Sequence, residues 1–334
     1  MRRVDWSDDV RQADWIGQRL APFESGTTTS VVPGGFAAYA RILHPASDPD
    51  ERRVRWSQVA ADNGLELRPD TQFPQIALLP PTAGPSRQVL APDEGTLCAA
   101  DASALIDVLR RHTPAAEPCW FAVWDGYGWE ASVSYTSEDG AEDTPPSHLQ
   151  DPIPRRVRAG PRVDLPHRTY VLYRGGLEDA LAFVESQGQT PNLWWPQDHS
   201  WCVASELDLT WTHVGGSREL VDELVGSPGL EALPSEPTQS HHLRFPPWLE
   251  ASIDHATEQV LAGNRGSVET SLGTATATVR RPRRLRAGDL WTISVGPDGE
   301  EGSSSWTRLS GTDEEWLRES IRHDLAHAVL GLLG

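Results

Sequence analysis

The sequence predicts an α+β fold: a mixed, largely antiparallel sheet domain with short helices, then a small C-terminal α-β-β-β-α domain. Three observations predict it. Short β-rich runs bounded by turn residues recur through the first two thirds of the chain. Residues from Trp201 to Trp211 alternate with a period of two, with Trp201, Val203, Leu207, Leu209 and Trp211 on one parity. After Pro247 the pattern reads helix, three strands, helix.

The larger domain is expected over 1–236 and the smaller over 244–334. Between them a stretch with Pro228, Pro234, Pro237 and Pro246-Pro247 reads as the boundary. Within the larger domain, 137–166 reads as a mobile loop. It runs from acids through Pro145-Pro146 to Arg155, Arg156 and Arg158 without apolar periodicity.

In chain order, a strand is expected at 37–43 and a helix at 54–62, stopped by Asn63-Gly64. A second helix at 102–112 ends at Thr113-Pro114, and a strand at 119–124 turns at Asp125-Gly126. Two units then echo one another. Residues 169–173 form a β-rich run followed by Gly175-Gly176 and a helix carrying Leu177, Ala180, Leu181 and Val184 on one face. Residues 209–214 lead through Gly215-Gly216 into a helix with Leu220, Leu224 and Val225. In the last part Leu249, Ile253, Ala256 and Val260 make a helical stripe. Strands follow at 268–279, 290–295 and 304–309. A capping box at Thr312-Asp313-Glu314-Glu315 opens a final helix whose expected buried stripe is Leu317, Ile321, Leu325, Ala328 and Leu332.

Composition narrows the chemistry. All 29 basic side chains are arginine, so Schiff-base, P-loop and amine-base lysines are excluded. The net charge of −19 is spread along the chain and argues against nucleic acid as a partner. The concentrated basic run Arg280-Arg281-Pro282-Arg283-Arg284-Leu285-Arg286 reads as a solvated hairpin connection or a dock for the protein's own acids. Cys98, Cys119 and Cys202 are three scattered thiols without a C-x-x-C pair, which fits a reducing compartment. Met1-Arg2-Arg3 has no apolar stretch behind it, and no run suits a membrane span. A cytoplasmic protein, with no membrane partner, is the expectation.

Two clusters carry candidate chemistry. Trp194, Trp195, Asp198, His199, Trp201 and Glu206 could line a groove in which indoles stack on a sugar or cationic guest while the polar groups fix its edge. The same spacing suits a core sheet with an acidic outer face. His323-Asp324-Leu325-Ala326-His327 is one methylene short of the zincin H-E-x-x-H. Its two imidazoles would hold zinc with Asp324 as base, and His241, His242 or His255 would have to fold back as third ligand. Histidines in the last turns of a helix are also favoured by its dipole alone.

The runs Tyr39-Ala40-Arg41-Ile42-Leu43-His44-Pro45 and Trp194 through Trp211 resemble uncharacterised actinobacterial proteins, over about residues 30–235. The resemblance implies a cytoplasmic bacterial protein and no particular activity. The function expected from the acidic balance and the tryptophans is a non-enzymatic interaction or regulatory protein with a protein partner. An immunity- or antitoxin-like role against a basic toxin is its concrete form. A metal-dependent hydrolase at the H-D-x-x-H and a small-ligand protein with a Trp-lined groove are the alternatives.

Overall fold

The fold is α+β, built on antiparallel sheets. The computed structural model describes residues 4–83, 88–114, 117–126, 155–280, 290–297, 304–308 and 314–333. The chain divides into two units, each discontinuous in sequence: 1–44 with 93–242, and 45–92 with 243–334. Residues 45–92, which read with the larger domain, therefore belong with the C-terminal elements.

The first unit holds a nine-stranded sheet. Its strands are β1 (Asp5–Trp6), β2 (Ala38–Leu43), β5 (Cys119–Trp124), β6 (Val163–Leu165), β7 (Arg168–Gly175), β8 (Leu193–Pro196), β9 (Cys202–Ala204), β10 (Trp211–Gly216) and β11 (Ala232–Ser235). The order is β1-β7-β5-β8-β9-β10-β2-β11, with β6 also on β7. Hydrogen-bonded neighbours are antiparallel, with Trp194 opposite both Phe121 and Val203, and His213 opposite Arg41. The stretch 137–166 is thus not wholly loop. Its end supplies α6 (Arg155–Arg158) and β6, and Arg162 holds that end in place by bonding Asp125 and the carbonyls of Val157 and Gly160. Residues 127–154 lie outside the described residues.

Three helices cover one face: α5 (Ala99–Leu109), α7 (Ala180–Gln187) and α8 (Arg218–Gly226). Leu105, Ile106 and Leu109 of α5, Phe183 of α7, and Leu220 and Leu224 of α8 join Phe121, Trp194, Val203 and Val214 of the strands in one core. Ser217 caps α8 by accepting the Leu220 amide at 3.1 Å. Glycine 188, at φ 72°, ends α7 in the left-handed conformation. Ion pairs on the outer side join the helices, Arg110 to Asp107 and Glu178, and Arg111 to Glu223. The opposite face is covered by the N-terminal segment with α1 (Asp14–Arg19) and α2 (Thr28–Val31). There Trp15 packs edge-on to Trp195 at 6.2 Å, and Phe36 lies against Gly215 where any Cβ would strike its ring. Because both faces are covered, β9 and β10 are buried at every position. The expected outer parity does not exist there: Cys202 and Ala204 point inward to the second layer as Val203 points to the first.

The second unit holds α3 (Trp56–Asp62), α4 (Phe73–Ala77), α9 (Pro247–Leu261) and α10 (Glu314–Leu330). Its strands are the pair β3 (Ala46–Ser47) and β4 (Arg53–Val54), and a sheet of β12 (Gly266–Thr270), β13 (Gly273–Arg280), β14 (Leu290–Pro297) and β15 (Ser304–Arg308) in that order. The single strand expected at 268–279 is a hairpin, so the last part has four strands between its helices rather than three. Thr270 pairs with Gly273 across a two-residue turn, and the Thr270 hydroxyl donates to the Gly273 carbonyl and accepts the Leu272 amide. Leu249, Ile253, Ala256 and Val260 are buried as the stripe predicts. On α10 the buried residues are Leu317, Ile321, Leu325, Ala326 and Val329, a stripe rotated away from the expected Ala328 and Leu332. Thr312 and Asp313 of the proposed capping box, and Arg281 to Arg286, lie outside the described residues. The 45–92 segment is tied in by main-chain bonds from Ser271 to Leu79 and from Ala91 to Leu333. Trp56 and Phe73 pack together at 5.2 Å within that segment.

Strand β12 lies so close under α9 that a Cβ at Gly266 would meet the Ala256 carbonyl oxygen at 2.3 Å and Val260 Cγ2 at 2.7 Å. Backbone on the helix side cannot give way as a flexible side chain would. Gly266→Ala is expected to destabilise by about 1–3 kcal/mol, the usual range for overpacking. A urea midpoint unchanged from the parent protein would contradict this packing.

Candidate functional site

The Trp-rich segment spans β8, a turn, and β9. Alternation along β8 sends Trp194 and Trp195 to opposite faces of a doubly covered sheet. Trp194 meets Trp201 edge-on at 6.1 Å and lies near Phe121 among the helices, while Trp195 faces Trp15. Trp194, Trp195 and Trp201 are each 0 % exposed. The Trp201 indole donates to Thr113 Oγ1 at 2.9 Å. These indoles present no open face on which a ring could stack, so the expected groove is replaced by core.

The polar members of the cluster are separated from the indoles. Glu206 is turned to Arg168, accepting from its guanidinium at 2.7 Å, and Asp208 takes the same group at 3.2 Å. Asp198 folds back on its own turn, accepting the Ser200 amide at 2.9 Å. His199 sits at φ 58°, a left-handed position. It stacks on Trp15 at 4.4 Å, with the rings 13° from parallel, and Arg19 lies over the same indole. Burial first, and then the Arg19 charge, hold His199 below the usual histidine range. The structure thus joins His199 to Trp15 and Arg19 at the surface, and Glu206 to Arg168, instead of assembling the six residues in one place.

On α10, His323 and His327 are both exposed, and their ring centroids stand 4.3 Å apart. A buried stripe of Leu317, Ile321, Leu325, Ala328 and Leu332 would leave them on its flank. The rotated stripe puts them at the middle of the solvent face, in line with Glu319 one turn earlier. Asp324 is half-buried and lies between that face and the packed edge. Among the described residues no three His, Cys, Asp or Glu side chains stand together in a metal-holding arrangement. Of the histidines considered as third ligands, His255 bonds Gln259 on α9, while the His241 amide bonds the Gly26 carbonyl in the first unit.

The first unit also buries a set of polar groups that no sequence motif marks. His44 is 1 % exposed; its Nδ1 lies 2.7 Å from the Asp93 carbonyl and its Nε2 2.9 Å from Thr212 Oγ1. A carbonyl only accepts, so Nδ1 carries the proton and Nε2 takes the Thr212 hydroxyl, whose oxygen in turn accepts from Ser205. Burial pulls the His44 pKa down to about 4, with the Asp93 carbonyl opposing. On β10, the Trp211 indole donates to His213 Nε2 at 3.0 Å, and the buried Arg41 guanidinium lies 5.2 Å over the Trp211 ring. Burial, then His241 and Arg41, bring His213 down to about 3. His241 is brought to about 4 by burial and by its neighbour His242. The signal was present as single polar residues inside apolar strands, at Arg41 and His213, and just past the end of one, at His44. Nothing in their spacing links them before the sheet is assembled.

The thiols behave as core. Burial raises Cys119 to about 12 and raises Cys202 further, which leaves neither as a thiolate near neutral pH. No described helix is long and apolar enough to cross a membrane. The chain matches no protein-family model, no curated protein and no solved structure.

Proposed function

We propose that this chain is a non-enzymatic interaction protein that takes a basic polypeptide partner on its acidic surface. The observation that carries the reading is where the arginines go. Arg110 pairs with Asp107 and Glu178, Arg111 with Glu223, Arg162 with Asp125, and Arg168 with Glu206 and Asp208. In the other unit Arg318 pairs with Glu258, and Arg322 with Glu250 and Asp254. Arg41 is buried. With these guanidinium groups engaged inside each unit and a net charge of −19, the field reaching an incoming molecule is negative.

Among the described residues of the first unit, the outer side of α8 offers one such landing surface, with Arg218 exposed at its start. There Glu219 and Asp222 are exposed, and Val225, 41 % exposed, adds an apolar contact one turn on. An apolar contact beside carboxylates suits a basic, amphipathic segment. An immunity- or antitoxin-like role against a basic toxin is the biological form of this reading.

The test is a fluorescence titration with an arginine-rich peptide across a salt series. Affinity should fall at least tenfold as ionic strength rises to about 0.15 M, where the screening length is about 8 Å. It should fall again in Glu219→Gln/Asp222→Asn, and a glutamate-rich peptide should not bind. Salt-insensitive binding, or no binding at low salt, would overturn the proposal.

A further inference from the structure

The solvent face of α10 carries its own chemistry. Glu319, His323 and His327 follow one another at four-residue intervals, and all three are exposed. The helix is held by its other side, where Leu317, Ile321, Leu325 and Val329 are buried. Its flank is fixed to α9 by the ion pairs of Arg318 and Arg322. The backbone carrying the two imidazoles is therefore set by packing that does not involve them.

Two nitrogens bound to one ion at about 2.0–2.1 Å stand roughly 3 Å apart. Ring centroids 4.3 Å apart, tilted by 58°, reach that arrangement by side-chain rotation alone.

We propose that His323 and His327 chelate one divalent ion of the nitrogen-preferring late transition series, such as zinc, nickel or copper, on the exposed face of α10. The chelate has two protein ligands and is open on its solvent side, where water or a donor from another molecule completes the coordination. Glu319 adds negative charge one turn away and favours a cation there. The site stands independently of the acidic surface on α8, since it requires neither Glu219 nor Asp222.

The experiment is a calorimetric titration of zinc into the chelator-free protein at neutral pH. It runs beside His323→Ala, His327→Ala, the double variant and Glu319→Gln. One equivalent is expected to bind the parent chain. Each single histidine variant should weaken binding roughly tenfold or more, because a lone imidazole remains, and the double variant should show no saturable binding. Glu319→Gln should weaken it by a smaller factor. Paramagnetic broadening by copper(II) gives a reading without any variant, and should strike the His323 and His327 ring signals first. No saturable binding by the parent chain would overturn the proposal. So would one equivalent bound unchanged by the double variant, or broadening centred on other histidines.

Discussion

Acidification from pH 7 to pH 5 is expected to remove about 4 kcal/mol of folding stability through His44 and His213 alone. An ordinary histidine titrates near 6.5, whereas these two are brought to about 4 and about 3 by burial. The unfolded chain therefore binds protons that the folded chain refuses. Stability is complete above about pH 6.5 and falls as pH drops toward the folded values, at about 2 kcal/mol per group by pH 5. That is a large share of the 5–15 kcal/mol typical of a domain. In His44→Gln the amide can still donate to the Asp93 carbonyl and accept from Thr212. This variant, and His213→Gln, should each flatten the acid limb by about 2 kcal/mol. Urea midpoints at several pH values measure the effect directly. Acid limbs of equal steepness in the parent and both variants would show that the two histidines are not buried neutral groups.

The second large effect is expected at Trp194. It is 0 % exposed and packed against Trp201 and Phe121 at the centre of the first unit. Trp194→Ala should cost about 3–5 kcal/mol, the lost burial plus the cavity left between sheet and helices. The protein should lose stability without losing a binding activity. A groove-lining tryptophan would behave in the opposite way, with the variant as stable as its parent. Urea unfolding followed by circular dichroism separates the two. Trp15→Ala offers a comparison on the covered face, where the indole is half-buried beside His199. The loss there should be smaller.

Much of the local structure was legible because single elements announce themselves. The stripe Leu249, Ile253, Ala256 and Val260 needs only helical geometry to be read, and its residues are buried. Breakers behaved likewise: Asn63 ends α3, and the helix read over 102–112 continues from α5 into a short 3-10 turn, Arg110–His112. What the sequence concealed depends on partners distant along the chain. The parity from Trp201 to Trp211 predicts one wet face, yet the N-terminal segment covers it, and that coverage is set by contacts such as Phe36 on Gly215. Residues 45–92 carry no mark that they join the C-terminal elements; main-chain bonds such as Ser271 to Leu79 decide it. The same holds for candidate sites. The i,i+4 spacing of His323 and His327 was readable, while their position on the helix depends on which side packs. Arg41, His44 and His213 became a group only when β2 and β10 paired.

We propose that a basic partner meets the acidic outer side of α8. Amide hydrogen exchange, measured with and without an arginine-rich peptide at low salt, tests it most directly. Protection concentrated in α8 from Arg218 to Gly226, and lost when salt is raised, is the predicted result. Peptide-dependent protection confined to other elements, or none at saturating peptide, would contradict it.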